Sequence, residues 1–349
     1  MKIAFLERGG IGDLLFRIPY YDHFLDNDSV LLCSKRDREV LDFFLPGRNI
    51  ISFSADWFLL DPLYRRRVLK MAGAPFEKAV LCTPYYHEKM LRVCEKLPAE
   101  KKIAFWEYGK GADKDAASSG FLVEQARSPA HYSETVISLF VHAGCFFPEQ
   151  RAPYLFFREW RKKERWKSAD RKGNAPYVVF QPDAGVLGKK WPEGNWKTLA
   201  GYIPSPYTIS IVGELSLDLS VANTQKRRVL GIQSAFREIL GASLFVGNDT
   251  GFTHFAYLCG IPTVFIAGGG EEGRFCPWTE YNESYGHTVE WVFNRMDCFG
   301  CGWDCVYGDY RRITPPCVEN ISVREVLHAM KKLEEKGKSF VDEALQCRR

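Results

Sequence analysis

The chain has 349 residues, 46% of them hydrophobic and 26% charged, so it is long enough for two separately cored domains and has an ordinary globular composition. A net charge of +4 is too small to argue for nucleic acid, and no RNA- or DNA-binding motif accompanies it. No apolar run approaches the ~18 residues of a membrane span, and the N-terminus enters a strand at Lys2 rather than a signal peptide, which points to the cytoplasm.

The first half alternates strands and helices. Strands are predicted at Ile3–Leu6, Val30–Cys33, Ile50–Phe53, Ala79–Cys82 and Ile103–Phe105, and helices at 14–25, 36–44, 57–71, 86–96 and 132–144. This is the pattern of a parallel sheet with right-handed crossovers. The first turn, Arg8-Gly-Gly-Ile-Gly-Asp13, invites a dinucleotide-binding reading. Leu15 stands where the third glycine belongs, and Cys33 and Ser34 stand where a ribose-binding acid would. Asp13 also puts negative charge where a pyrophosphate would sit. The turn is better read as one that exposes a carboxylate to a cleft, a role compatible with helix capping. Residues 107–120, rich in Gly, Ala, Ser, Asp and Lys, read as a long loop.

From Arg158 to Lys172 the chain carries eight basic and three acidic residues, and Gly173-Asn-Ala-Pro176 ends the stretch. It reads as an interdomain linker at 158–175, more simply a solvated helix face than a patch for the inner membrane. It divides a domain at 1–157 from one at 176–325 and a C-terminal helix or tail at 326–349. The second domain restarts with a strand at Tyr177–Phe180. It continues with helices near 194–203, 215–223 and 233–240 and strands at Thr208–Val212, Arg228–Leu230, Leu244–Val246 and Ile261–Ile266. Ser322 and Glu325 form a capping box for a helix that Gly337 is expected to stop.

Between two of those strands lies Gly247-Asn248-Asp249-Thr250-Gly251, with His254 one turn on. Ligands of open α/β sheets bind at the carboxyl ends of strands. A helix opening at Thr250 and Gly251 offers free N–H groups to a phosphate, and Asp249 offers a carboxylate to sugar hydroxyls. Together they suit a nucleotide-sugar, although Asp and Thr are also ordinary N-cap residues.

Three motifs in order resemble glycosyltransferase family 9, the ADP-heptose:lipopolysaccharide heptosyltransferases, over roughly residues 2–330. They are Gly9-Gly-Ile-Gly12-Asp13 with Pro19, Lys189-Lys-Trp-Pro192 with Trp196, and Gly247–Gly251 with His254 and Gly260-Ile-Pro262. The resemblance implies a GT-B fold, two doubly wound Rossmann-like α/β domains facing across a cleft. It implies transfer of a sugar, a heptose from ADP-heptose foremost, to a hydroxyl of a glycan, lipid-linked or protein acceptor. Asp13 would be the base. Lys189 would neutralise the diphosphate. Gly12, Asn248, Asp249, Thr250, Gly251 and His254 would bind donor, and Glu214 would approach the nucleoside. Asp26-Asn-Asp28 and Asp113-Lys-Asp115 both fall in the first domain, away from the donor, which favours transfer without a catalytic metal. The chain departs from the pattern at Ala184 and Gly185, in the long 107–120 loop, and at Phe265-Ile-Ala-Gly-Gly-Gly-Glu-Glu272.

Cys298, Cys301, Cys305 and Cys317 cluster near the C-terminus, with glycines at 300 and 302. In a reducing compartment such clustering points to a structural zinc or iron ahead of a set of reduced, partly buried thiols, and some autotransporter heptosyltransferases in the resembled family hold iron with four cysteines. The segment would brace the second domain or present a surface for self-association. Two other readings compete: an NAD(P)-dependent oxidoreductase using the Gly10-x-Gly12 turn, and a scaffold without activity that keeps the GT-B fold.

Overall fold

The computed structural model describes residues 2–25, 28–82, 87–106, 122–125, 136, 139–141, 153–163, 177–203, 207–213, 226–276 and 288–346. The chain forms two compact units, Met1–Pro153 and Tyr154–Arg349.

In the first unit, strands β1 (Ile3–Glu7), β2 (Val30–Cys33), β3 (Ile50–Ser52), β4 (Phe76–Cys82), β5 (Ala99–Trp106) and β6 (Leu122–Gln125) make one parallel sheet, ordered β3-β2-β1-β4-β5-β6. β1 lies between β2 (Phe5↔Leu31) and β4 (Phe5↔Val80), and all five of its residues are buried. Helices α1 (Ile11–Phe24), α2 (Lys35–Phe44), α3 (Ala55–Leu60), α4 (Pro62–Met71) and α5 (Glu88–Glu95) make the crossovers. The single helix expected over 57–71 is two helices. Pro62 lacks the N–H to continue the first, and the Asp61 carboxylate caps the second by accepting from Leu63 N–H at 2.8 Å. β6, with an apolar run of only Phe121-Leu122-Val123, is not among the predicted strands. The predicted helix at 132–144 falls largely outside the described residues, and the 107–120 loop wholly so.

The second unit repeats this topology without a sequence repeat. Its strands β7 (Tyr177–Gln181), β8 (Thr208–Val212), β9 (Lys226–Val229), β10 (Leu244–Asn248), β11 (Thr263–Ile266) and β12 (Val289–Val292) run in the order β12-β11-β10-β7-β8-β9. Read from β9, that is the first sheet's order. α6 (Pro153–Lys163) opens this unit, followed by α7 (Glu193–Ala200), α8 (Ile232–Leu240), α9 (Gly251–Leu258), α10 (Pro316–Glu319) and α11 (Val323–Gln346).

Two boundaries move. Residues 158–163 are no linker: Phe157 packs edge-on against Phe255 at 6.3 Å, and Arg161 donates to the Cys259 carbonyl at 2.9 Å, so α6 belongs to the second core. The remainder of the basic stretch lies outside the described residues. Residues from 326 form the expected helix, which is not a separate element, because Val326, Ala329, Met330 and Leu333 join the core with Phe180, Trp191 and Trp196. α11 runs through Gly337 to Gln346. An interior glycine costs a helix only about 1 kcal/mol, less than a proline would. Among the described residues, no helix is long and apolar enough to cross a membrane.

Candidate active site

Each sheet has one point where the strand order reverses, between β1 and β4 in the first and between β7 and β10 in the second. Loops diverge there and leave room for a ligand at the carboxyl ends.

In the first unit that point carries the glycine turn and Asp13. Gly10 is the N-cap of α1, and its N–H donates to Asp13 Oδ2 at 2.7 Å. Asp13 therefore caps its own helix with one oxygen, while Oδ1 has no donor among the described residues. Gly12 sits beside it in the first helical turn. Below lies a buried network that the sequence did not suggest. Arg17 donates to Glu7 Oε1 at 2.9 Å and to the Cys82 carbonyl at 2.8 Å, and Tyr21 donates to Glu7 Oε2 at 2.5 Å. Arg17 Nε also reaches the Asp13 carbonyl at 3.4 Å, so this network supports the turn from underneath.

Burial pushes the Glu7 carboxyl up to about 7, against the guanidinium of Arg17 and the hydroxyl of Tyr21, which pull it down. The native state thus holds Glu7's proton to a higher pH than the unfolded chain does. This contribution to stability is complete below the ordinary value of 4.5 and is lost as pH rises through about 7. The expected result is that the stability of wild type relative to Glu7→Gln is flat below that window. Within it the difference falls, by at most roughly 1.4 kcal/mol per pH unit. Paired urea melts across pH check it, and a difference independent of pH removes Glu7 as the titrating group.

In the second unit the loops after β7 and β10 meet. Lys189 ends a 3-10 turn, Leu187–Lys189, and its Nζ lies 2.8 Å from Asp249 Oδ2 and 3.5 Å from Glu271 Oε1. His254 Nε2 is 3.3 Å from Asp249 Oδ1, and its Nδ1 is 3.0 Å from the Tyr257 hydroxyl. Burial alone would raise the Asp249 pKa. Lys189 and His254 outweigh it and hold the carboxyl well below the usual range, so Asp249 is an anion. Thr250 is the N-cap of α9 but makes no side-chain capping bond; its hydroxyl donates to Gln181 Oε1 at 2.9 Å. The alternative of an ordinary Thr cap therefore does not apply. Gly251 opens the helix, and among the described residues no side chain is bonded to the N–H groups of its first turn.

Asn248 has a different task from the one expected. Its Oδ1 accepts from Trp191 N–H at 3.1 Å, and its amide donates to the Pro182 carbonyl at 2.6 Å. Fully buried, it ties the Lys189 loop to the Asp249 loop. Trp191 and Trp196 are buried and pack edge to face at 5.2 Å, so the tryptophans of that motif are core. Glu214 lies outside the described residues.

No protein-family model matches the chain. It is 25% identical over 218 residues to lipopolysaccharide heptosyltransferase 1 of Pseudomonas aeruginosa, across 56% of this chain and 57% of that protein, so the match spans little more than half of the relative. A glycosyl transferase family 9 structure from Veillonella parvula superposes with a TM-score of 0.69 at 14% identity, covering 95% of this chain and 96% of that one. The structure of the E. coli ADP-heptose lps heptosyltransferase II gives 0.65 at 16% identity, covering 97% and 100%. The fold is GT-B.

Within that GT-B fold, one departure from the family 9 pattern, the 265–272 stretch, and the cysteine cluster prove to be one feature. A Cβ on Gly268 would come within 2.8 Å of Val318, one on Gly269 within 2.8 Å of Phe299, and one on Gly270 within 2.6 Å of Trp303. The glycine run after β11 is thus the seat of the cysteine-bearing segment. That segment reaches the site itself. Trp303 Nε1 donates to Glu271 Oε1 at 2.9 Å, its ring lies 4.8 Å from Lys189 Nζ, and Gly188 N–H donates to the Tyr310 carbonyl at 2.6 Å. Arg274 holds the other Glu271 oxygen at 3.0 Å. The sequence flagged Glu271 only as a departure and missed Trp303, Arg274 and Tyr310.

Cys298, Cys301, Cys305 and Cys317 are free thiols, and among the described residues no group of three or more His, Cys, Asp or Glu side chains is arranged to hold a metal ion. Cys317 is half-buried, and its pKa is raised by burial first, against a hydrogen bond from the Gly269 backbone. It sits against the glycine run, 3.3 Å from where a Gly268 Cβ would be. The segment is held by aromatic packing and backbone bonds to the site loops.

Proposed function

We propose that this chain is a glycosyltransferase that moves a heptose from ADP-heptose to an acceptor hydroxyl, without a catalytic metal. The observation that carries the reading is the meeting of Lys189, Asp249 and His254 at the uncapped start of α9, in a fold shared with heptosyltransferases. The donor diphosphate takes Lys189 and the first-turn N–H groups of α9. Asp249, held as an anion, accepts from donor hydroxyls. Asp13 removes the proton from the acceptor hydroxyl as its oxygen bonds to the anomeric carbon. The bond from that carbon to the diphosphate oxygen breaks, and ADP leaves with the electron pair, stabilised by the lysine and the helix end. An acceptor of the lipopolysaccharide core is the reading closest to the P. aeruginosa relative, with work at the cytoplasmic face of the inner membrane.

The test is ADP release from ADP-heptose supplied with a core-oligosaccharide acceptor, in buffer with and without EDTA. Acceptor-dependent ADP release, unchanged by EDTA, is expected. NADH binding with no ADP-heptose turnover would instead favour the oxidoreductase reading, against which the missing third glycine and ribose acid already stand.

A further inference from the structure

Trp303 is the single non-glycine residue with positive φ among the described residues, at +70°, directly after Gly302 at +55°. A bulky aromatic in the left-handed region is an outlier that its surroundings must enforce. Here the surroundings are the site. The indole lies over Gly270, tilts against Tyr310 at 4.8 Å, faces the Lys189 ammonium, and donates its N–H to Glu271.

The consequence concerns charge. Lys189 stands between two carboxylates, close to Asp249 and at the longer distance from Glu271. A lysine fully paired with both would be a poor ligand for a diphosphate. Glu271 Oε1 is shared: it accepts from the Trp303 indole at 2.9 Å and from the ammonium only at 3.5 Å, while Oε2 accepts from Arg274. The ring face also attracts the ammonium and fixes where it points.

We propose that Trp303 is a positioning residue for the donor-site cation: by competing for Glu271 Oε1 and seating the Lys189 ammonium against its ring, it weakens the Lys189–Glu271 pairing in favour of a nucleoside diphosphate. The inference rests on the donor-site reading above and goes further, in making the cysteine-bearing segment part of the donor site.

ADP is the probe, titrated calorimetrically into the full chain at low salt, with circular dichroism and Tm as fold controls. W303F keeps a ring and removes the N–H. It is expected to weaken ADP binding about tenfold, the scale of one hydrogen bond to a charged group. E271Q removes the competing charge. In that background W303F is expected to change ADP affinity less than about twofold, because Trp303 no longer has a carboxylate to restrain. W303Y serves the same comparison if W303F misfolds. Unchanged ADP affinity in W303F overturns the proposal. So does an equal loss with and without E271Q, which would mean that the indole acts through packing alone. K189A separates the underlying reading: wild-type ADP binding that K189A leaves intact would show that Lys189 is no diphosphate ligand, whatever Trp303 does.

Discussion

Asp13→Asn is expected to lower the transfer rate by about a hundredfold or more, the scale of a general base, while leaving the fold and ADP affinity unchanged. The separation follows from two features. The asparagine oxygen can still accept the Gly10 N–H that Asp13 Oδ2 accepts at 2.7 Å, so the cap of α1 survives. The groups assigned to the donor, Lys189, Asp249 and His254, all belong to the second unit. What asparagine cannot do is take a proton from the acceptor hydroxyl. Single-turnover transfer measured beside ADP calorimetry checks both halves. A rate within a few-fold of wild type would remove Asp13 from the chemistry, and a parallel loss of ADP affinity would place it on the donor instead.

Asp249→Ala is expected to have the largest effect on donor binding, a loss of about 10- to 100-fold for a hydrogen bond to a charged group. It should also lower stability. Asp249 is buried, its two oxygens bridge Lys189 and His254, and its removal takes away the 2.8 Å partner of the lysine. The sign with pH is determined. The native carboxyl titrates below its ordinary 3.8, so its stabilisation is complete above that value and is lost as pH falls through the depressed native one. The stability gap between wild type and Asp249→Ala should hold across neutral pH and close only in strong acid. Urea melts at several pH values and donor titrations test the two effects separately, and wild-type donor affinity in the variant would dissociate the loop from the donor.

The residues that form both sites were legible in the sequence to unequal degrees. Apolar runs such as Ile3–Leu6 and Leu244–Val246, each followed by glycine and then helical periodicity, dictate parallel α/β units, because buried parallel strands need such runs. The two loops bearing Asp13 and Asp249 follow from that pattern, since small and polar residues at strand ends have few structural reasons to be there. Periodicity could not show which side chains meet. Lys189 and Asp249 are 60 positions apart in the numbering, and only the strand order, with β7 beside β10, brings their loops together. Asn248 read as a donor ligand because its position in the motif is visible and its hydrogen bonds to Trp191 and Pro182 are not. The cysteines read as metal ligands or as reduced thiols because spacing records only proximity along the chain. What binds their segment to the site is the close approach of Gly268, Gly269 and Gly270 to Val318, Phe299 and Trp303, a contact between distant stretches that no local pattern encodes. The sequence by itself determined the fold class and placed the carboxylates of Asp13 and Asp249 just past strand ends; the tertiary structure alone decided their partners, because pairing across a sheet depends on strand order and not on chain position.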